Sequence, residues 1–398
     1  MGNRLNFLSP ETFAIVQVLY LFVSIVLALT LARKIGIGLS LLIASLILGI
    51  LTLGIGWKLL ACFLQIQSFE IMLLVFLTYT LANLMDKLGM LEKLSRSLEQ
   101  SFGSISISLI PLLIGLIPMP AGALVSASML SPLTKDSKIG PERITIINYW
   151  FRHIWTPVWP LYPSVIIALA VLGMQYEKYL LSTFPIAIVS FLLGLTLLKD
   201  LNFEFRAEGL KDAFINIYPI LALLLIYLIF RNLIVAVMVS ILVVVLHKKA
   251  GIEDLKLVIK KAFDLRILAL VFAVIGYKNI IEFSKSAEAL YEEISFMPVE
   301  LTAFVLFFLV GFSTGIELSY SSIALPIFRE FAEQPGNLLL AISAGFFGVM
   351  LSPFHLCYAL TVEFFRAELG KCYRILLSLV VPALISSYIF HLLFSFFL

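Results

Sequence analysis

The sequence predicts an all-α polytopic membrane protein: about ten transmembrane helices plus two re-entrant hairpins, in two inverted repeats. Three observations lead there. Apolar residues make up 61% of the 398-residue chain and charged residues 13%, where a soluble domain is usually about a quarter charged. Asn83-Leu84-Met85-Asp86 returns 196 residues later as Asn279-Ile280-Ile281-Glu282, and Thr156-Pro157 returns as Ser352-Pro353. Lysine and arginine fall mostly on one side of the topology that hydropathy draws.

Apolar runs near the roughly 20 residues of a spanning helix set the elements. The first repeat, 1–200, gives spans 12–32, 38–56 and 60–86, a hairpin over 104–133, a broken helix over 144–173, and a span 179–198. The second, 201–398, gives spans 212–230, 232–247 and 263–283, a hairpin over 299–328, a broken helix over 336–365, and a span 375–397. The run beginning at Thr12 is too long for a cleaved leader and lacks a small-residue cleavage site after it, so it reads as a spanning helix. The polar stretches 199–212 and 247–262 are too short to form domains and read as loops.

The hairpin prediction rests on length and on helix breakers. Ser104 to Ile117 gives roughly 20 Å of helix at 1.5 Å per residue, past the middle of a ~30 Å hydrocarbon core but not across it. Pro118, Pro120 and Gly122 then stop the helix. The second hairpin breaks at Ser313-Thr314-Gly315-Ile316-Glu317. Its exit matches the first at an offset of 194, pairing Ser128 with Ser322 and Pro132 with Pro326. Each half then crosses an odd number of times, so the halves have opposite orientations.

Charge tests that count. With both termini outside, twenty lysines and arginines lie on inner loops, six lie outside, and Arg152 and Lys278 fall inside membrane segments. Such a bias obeys the positive-inside rule. Had either hairpin been a full crossing, every later loop would change sides.

Interrupted segments in paired positions are the best pointer to a transporter's binding site. Free amides and the helix dipole at each tip favour an anion. Pro120, Ala121, Gly122, Ser126 and Ser128 in the first hairpin, and Thr314, Gly315, Ser319, Ser321 and Ser322 in the second, are the candidate substrate groups. Small residues at these places also serve close helix packing. Unwinding at Thr156-Pro157 and Ser352-Pro353 would free carbonyls for Na⁺, or else make proline kinks that neighbouring helices satisfy. Arg152 is an expensive intramembrane charge whose fork suits a carboxylate or phosphate; a structural pair with Asp86 or Glu317 is the other reading. Glu317, His153 and His355 are candidate proton carriers. Asn83 and Asn279 either cap the helix before each hairpin or line the cavity. Lys278 is expected near Glu282 on the next turn. Cys62, Cys357 and Cys372 have no metal-type spacing and read as small buried hydrophobes, so no metal site and no cofactor are expected beyond a coupling Na⁺ or H⁺.

At these residues the chain resembles the ion transporter superfamily, which includes divalent anion:sodium symporters, gluconate permeases and four-carbon dicarboxylate carriers. Ile117–Ser128 is similar to the corresponding stretch of an uncharacterised prokaryotic integral-membrane family within it. The resemblance covers nearly the whole chain. It implies re-entrant hairpins followed by broken helices, a homodimer, and a transport domain that moves against a scaffold. The symporters carry Ser-Asn-Thr at both tips, where this chain has Pro-Ala-Gly and Thr-Gly-Ile-Glu. The resemblance therefore implies the place of the site rather than its ligands.

The expected function is secondary transport of a small, organic anion across the plasma membrane, coupled to Na⁺ or H⁺, with no nucleic-acid partner. A cation–proton antiporter built on Glu317 and a histidine is the alternative. An enzyme acting on a membrane lipid is the third reading, and the chain has no G-x-S-x-G, H-E-x-x-H or P-loop motif to serve one.

Overall fold

The computed structural model describes residues 10–118, 122–134, 139–201, 205–293 and 297–397. Among the described residues the chain is helical with no strand, and six helices are long and apolar enough to cross a membrane, with shorter apolar helices besides.

The two halves match element by element. The first opens with Pro10–Ile35, Ile37–Leu53, Trp57–Phe63, Ile66–Lys87 and Met90–Phe102. The second opens with Leu210–Phe230, Leu233–Lys248, Ile252–Ala262, Leu265–Ser284 and Ser286–Glu293. Left-handed residues at the joints recur as well: Gly54 with Lys249, Gly89 with Lys285, and Gly173 with Arg366. Packing is reciprocal. Pro10–Ile35 and Ile37–Leu53 pack on each other and on Leu265–Ser284 and Ser286–Glu293, while Leu210–Phe230 and Leu233–Lys248 pack on each other and on Ile66–Lys87 and Met90–Phe102. Each half thus supplies two helices that hold the other half's fourth and fifth.

Two sequence expectations need correction here, and one helix is new. Span 60–86 is broken at Leu64–Gln65 into Trp57–Phe63 and Ile66–Lys87. The charged stretch before the first hairpin forms the amphipathic helix Met90–Phe102, which buries Met90, Leu91, Leu94 and Leu98 on one side. The polar stretch 247–262 contains the helix Ile252–Ala262, which buries Val258 and Ala262. In each helix the apolar residues recur at helical spacing, and that period decides over the charge content.

The interrupted segments form the interior. In the first half, Ser106–Ile114 packs against Gly122–Thr134 and against Pro141–His153. In the second, Val299–Thr314 packs against Pro335–Leu351 and against the helical turns Glu317–Ser319 and Tyr320–Ala324, the latter a wide i→i+5 turn. The halves interlock: Leu356–Phe365 lies on Gly122–Thr134 and Pro141–His153, while Pro163–Leu172 lies on the turns of the second hairpin. The apolar stretch of Pro335–Phe365 is 83% buried, against 28% for Ala207–Phe230. The broken helices are therefore the core, and the outer helices present apolar faces to their surroundings.

Equivalent glycines allow the close approach. A Cβ on Gly115 would collide with the Arg152 carbonyl oxygen, and one on Gly311, 196 residues later, with that of Gly345. Gly345 itself leaves room for the Tyr320 ring, whose Cγ would lie 2.5 Å from an added Cβ. Small residues at such crossings are how membrane helices gain contact.

Proline and the loss of helical pairing free backbone carbonyls at both breaks. Pro141–His153 stops before Thr156-Pro157 and helix resumes at Pro163; Pro335–Leu351 stops before Ser352-Pro353 and helix resumes at Leu356. Tyrosine hydroxyls then donate to the exposed carbonyls. Tyr179 bonds the Pro157 carbonyl and Tyr176 that of Val158, both at 3.0 Å. Tyr149 bonds Met350 at 3.0 Å and Tyr373 bonds Leu351 at 3.3 Å. Tyr162 bonds Gly115 at 2.6 Å, beside the first hairpin's break. Four of the carbonyls freed at these breaks, those of Pro157, Val158, Met350 and Leu351, thus each accept from a tyrosine hydroxyl.

This packing sets the expected stability of three variants. Gly311→Val should lower the melting temperature of the detergent-solubilised protein, with a loss of about 1–3 kcal/mol from overpacking. Gly140→Ala, where an added Cβ would meet nothing nearer than Glu142 Oε2 at 3.6 Å, should stay within about 0.5 kcal/mol. Tyr179→Phe should cost about 1–3 kcal/mol by leaving the buried Pro157 carbonyl without its donor, and an unchanged melting temperature would show that this bond does not support the break.

Candidate functional site

Both breaks and the second hairpin's tip meet at one cavity of about 220 Å³. Its walls are Tyr79 from Ile66–Lys87, Pro118 from the first hairpin, Arg152, His153, Tyr162, Pro163 and Ser164 from the first break, Gly315 to Leu318 from the second hairpin, and His355 to Cys357 from the second break. A larger surface cavity of about 1110 Å³ lies around Arg96, Arg143 and Arg206. There Arg143 already donates to the Leu197 carbonyl at 2.7 Å and pairs with Asp200 at 3.8 Å. The smaller cavity holds a buried cation with a hydrogen-bond donor that has no partner among the described residues.

That charge is Arg152, at the end of Pro141–His153. It is 3% exposed, and its Nη1 has no hydrogen-bond partner among the described residues. A buried charged donor left unpaired costs more than the 1–3 kcal/mol of a neutral one. The expected structural pairs do not form. Asp86 lines a different cavity, with Gly89, Glu92 and Arg96. Glu317 shares Arg152's cavity without forming an ion pair with it among the described residues.

Glu317 starts the turn after Gly315, which ends Val299–Thr314 in the left-handed region at φ 64°. Glycine is required there twice, since a Cβ would also lie 2.6 Å from the His355 amide. One carboxylate oxygen of Glu317 accepts from Thr156 Oγ1 at 3.4 Å and lies 3.6 Å from His153 Nε2. His153 Nδ1 sits 2.6 Å from the Tyr149 carbonyl. A carbonyl can only accept, so Nδ1 carries the proton and Nε2 is the site that faces Glu317. His355 Nε2 lies 3.3 Å from the same Nε2. The cavity therefore joins a guanidinium, a carboxylate, two imidazoles and a thiol from both halves of the chain.

The sequence-predicted residues divide in two. Arg152, His153, Thr156, Gly315, Glu317 and His355 come together at the cavity. The others are placed elsewhere or already hydrogen-bonded. Ser126 donates to the Gly122 and Ala123 carbonyls, and Ser128 to Val125 on the side of the Asp86 cavity. Thr314 and Ser319 bond each other at 2.7 Å behind the tip, Ser322 donates to Leu318, and Ser321 is buried without a partner among the described residues. Asn83 donates to Tyr79 and Asn279 to Cys62. Ser352 donates to Phe312 at 2.6 Å and accepts from Phe354, while Pro353 is exposed and Pro157 buried. Gly122 opens its helix; Pro120 and Ala121 lie outside the described residues. Lys278 approaches Glu282 at 3.9 Å, as the spacing predicts, and Arg329 pairs with Glu282 too.

Tyr79, Tyr162, Ser164 and Cys357 were not read from the sequence as site residues. Tyr79 lies one helical turn before the repeated Asn83. Cys357 is only half-buried, and its thiol faces the Arg152 guanidinium and the Ala123 amide. The signal for it was His355-x-Cys357 inside a break rather than inside a helix.

No curated protein sequence matches the chain. Its fold is similar to a crystal structure of the Alcanivorax borkumensis YdaH transporter, with a TM-score of 0.60 over 97% of this chain and 98% of that one, at 14% identity. A family model described as protein of unknown function (DUF401) matches residues 15–394, and the chain belongs to that family.

Proposed function

We propose that this chain is a secondary active transporter of a small organic anion, with Arg152 as the anion's partner. The observation behind the reading is the buried, unpaired Nη1 of Arg152 in a cavity of about 220 Å³, room for a small carboxylate rather than a lipid. The likeness in fold to a transporter supports the class, and the matched halves support an inverted repeat with both hairpins re-entrant. Coupling falls to Glu317, held by Thr156 and His153. Tyrosine hydroxyls donate to four of the break carbonyls, which leaves fewer acceptors for Na⁺ and favours H⁺. The layout fits the ion transporter superfamily, an elevator motion and a homodimer in the plasma membrane, with both termini outside. A cation–proton antiporter is the second reading, favoured by the contact between Glu317 and His153.

Thermal stability of the purified protein, measured with acetate, succinate, gluconate and phosphate, with and without Na⁺ and at two pH values, tests the anion. An effective anion at a hundred times its Kd should add about 2.7 kcal/mol of stability, and Arg152→Gln should remove the effect. Stabilisation by cations alone would instead support the antiporter. Glu317→Gln should keep the anion's thermal shift yet abolish proton-driven uptake into proteoliposomes; uptake at the wild-type rate would remove Glu317 from coupling.

A further inference from the structure

The cavity contains a cluster that anion binding leaves unused. A ring nitrogen of His153, one of His355 and the Cys357 Sγ all lie within 4.8 Å of one another, and the two Nε2 atoms are 3.3 Å apart. We propose that these three atoms form a site for a divalent transition-metal ion of the zinc class, with a fourth coordination position open to the cavity.

The orientation of His153 is the first argument. Its Nδ1–H is held by the Tyr149 carbonyl at 2.6 Å, so Nε2 presents its lone pair inward. A ligating histidine is ordinarily fixed this way, by an outer carbonyl or carboxylate on the other ring nitrogen.

The second argument is proton bookkeeping in the histidine pair. With the two Nε2 atoms 3.3 Å apart, one of them must carry a hydrogen unless a cation lies between. If His355 Nε2 donates, its Nδ1 becomes a buried acceptor, and that atom has no partner among the described residues. If the proton sits on Nδ1, two lone pairs face each other. Either tautomer leaves a buried lone pair unmet, and a metal bound to both Nε2 atoms takes up the two lone pairs that otherwise face each other.

Distance and donor type select the ion. Two nitrogens bound at about 2.05 Å to a tetrahedral ion lie about 3.3 Å apart, which is the separation seen. The sulfur must close by about 1 Å to reach ideal geometry, a rotation of the half-buried Cys357 side chain within the cavity. Two imidazoles and a thiolate suit zinc and its neighbours and do not suit magnesium or calcium. On binding, the Cys357 S–H bond breaks, sulfur bonds the metal through its electron pair, and the proton leaves to solvent. Three protein ligands with an open position resemble an exchangeable site more than a closed structural one. Arg152 is not a ligand, so the metal site stands or falls apart from the anion reading.

Titration of the purified, reduced full-length chain with Co²⁺, followed by absorption, tests the site. One equivalent should produce tetrahedral ligand-field bands and a thiolate-to-cobalt charge-transfer band, both bleached by Zn²⁺. Cys357→Ser should abolish the charge-transfer band. His355→Gln should weaken binding by more than the roughly 10–100-fold that loss of an outer-shell partner causes. The Cys62→Ser/Cys372→Ser double variant should keep the full spectrum. Absence of a charge-transfer band at one equivalent, or its survival in Cys357→Ser, overturns the proposal. Should the Cys357 variant fail to fold, maleimide labelling of wild-type Cys357 decides: Zn²⁺ must slow it, and an unchanged rate overturns the site.

Discussion

The structure depends on one constraint: backbone that leaves the helix deep inside an apolar molecule must find its hydrogen bonds within the protein. Hydrocarbon supplies none, and an unmet backbone group costs several kcal/mol there. Two helices here are broken by proline at matched positions, so the constraint applies twice. The chain meets it with tyrosines. Tyr176 and Tyr179 reach the first break from the next helix, and Tyr149 and Tyr373 reach the second. Those hydroxyls reach only because the helices pack closely, and close packing in turn requires glycine at Gly115, Gly311 and Gly345.

Once the backbone is satisfied, the side chains that are not become informative. Arg152 Nη1 and His355 Nδ1 are buried and lack partners among the described residues. A fold able to cap break after break could also have capped these groups. Leaving them open costs stability, and a cavity is where such a cost has a use, since a ligand that supplies the missing partner recovers it. The contributions differ by half. The first gives Arg152, His153 and Thr156; the second gives Glu317, His355 and Cys357. The backbone plan is shared and the charge is not, so the two halves do different chemistry on one cavity.

Much of this was legible in the sequence, because membrane folds are governed by length, apolar content and helix breakers. Both breaks fell at Thr156-Pro157 and Ser352-Pro353, and Gly315-Ile316-Glu317 marked the second tip. The serines were the weak point. Ser126, Ser128 and Ser322 each lie on helical turns, where a hydroxyl bonds back to the carbonyl three or four residues earlier. Helix placement alone predicts that outcome, which commits each hydroxyl's proton to the backbone. Cys357 was missed for the opposite reason. Its neighbours come from another break about 200 residues away, so no local spacing reveals them. The amphipathic helices Met90–Phe102 and Ile252–Ala262 were hidden by their charges, although their apolar period was present.

The position of the cavity bears on how such a site could open. Most of its wall belongs to the buried core of hairpins and broken helices, but Tyr79 belongs to Ile66–Lys87, a helix held by Leu210–Phe230's partner Leu233–Lys248. The cavity therefore lies on the seam between the core and the outer helices. Polar ties cross this seam at its margins: Gln67 donates to the Ala170 carbonyl at 3.0 Å, and Arg329 pairs with Glu282. Surface pairs of this kind contribute about 0–1 kcal/mol, whereas Arg152, Glu317 and the two histidines are bound into the core by its packing. A shift of the core along the seam would break weak contacts and exchange the Tyr79 wall for another, while the charged groups move together. On the transport reading, the ligand would travel with its site, and the resistance to that motion would come from apolar contact rather than from broken ion pairs.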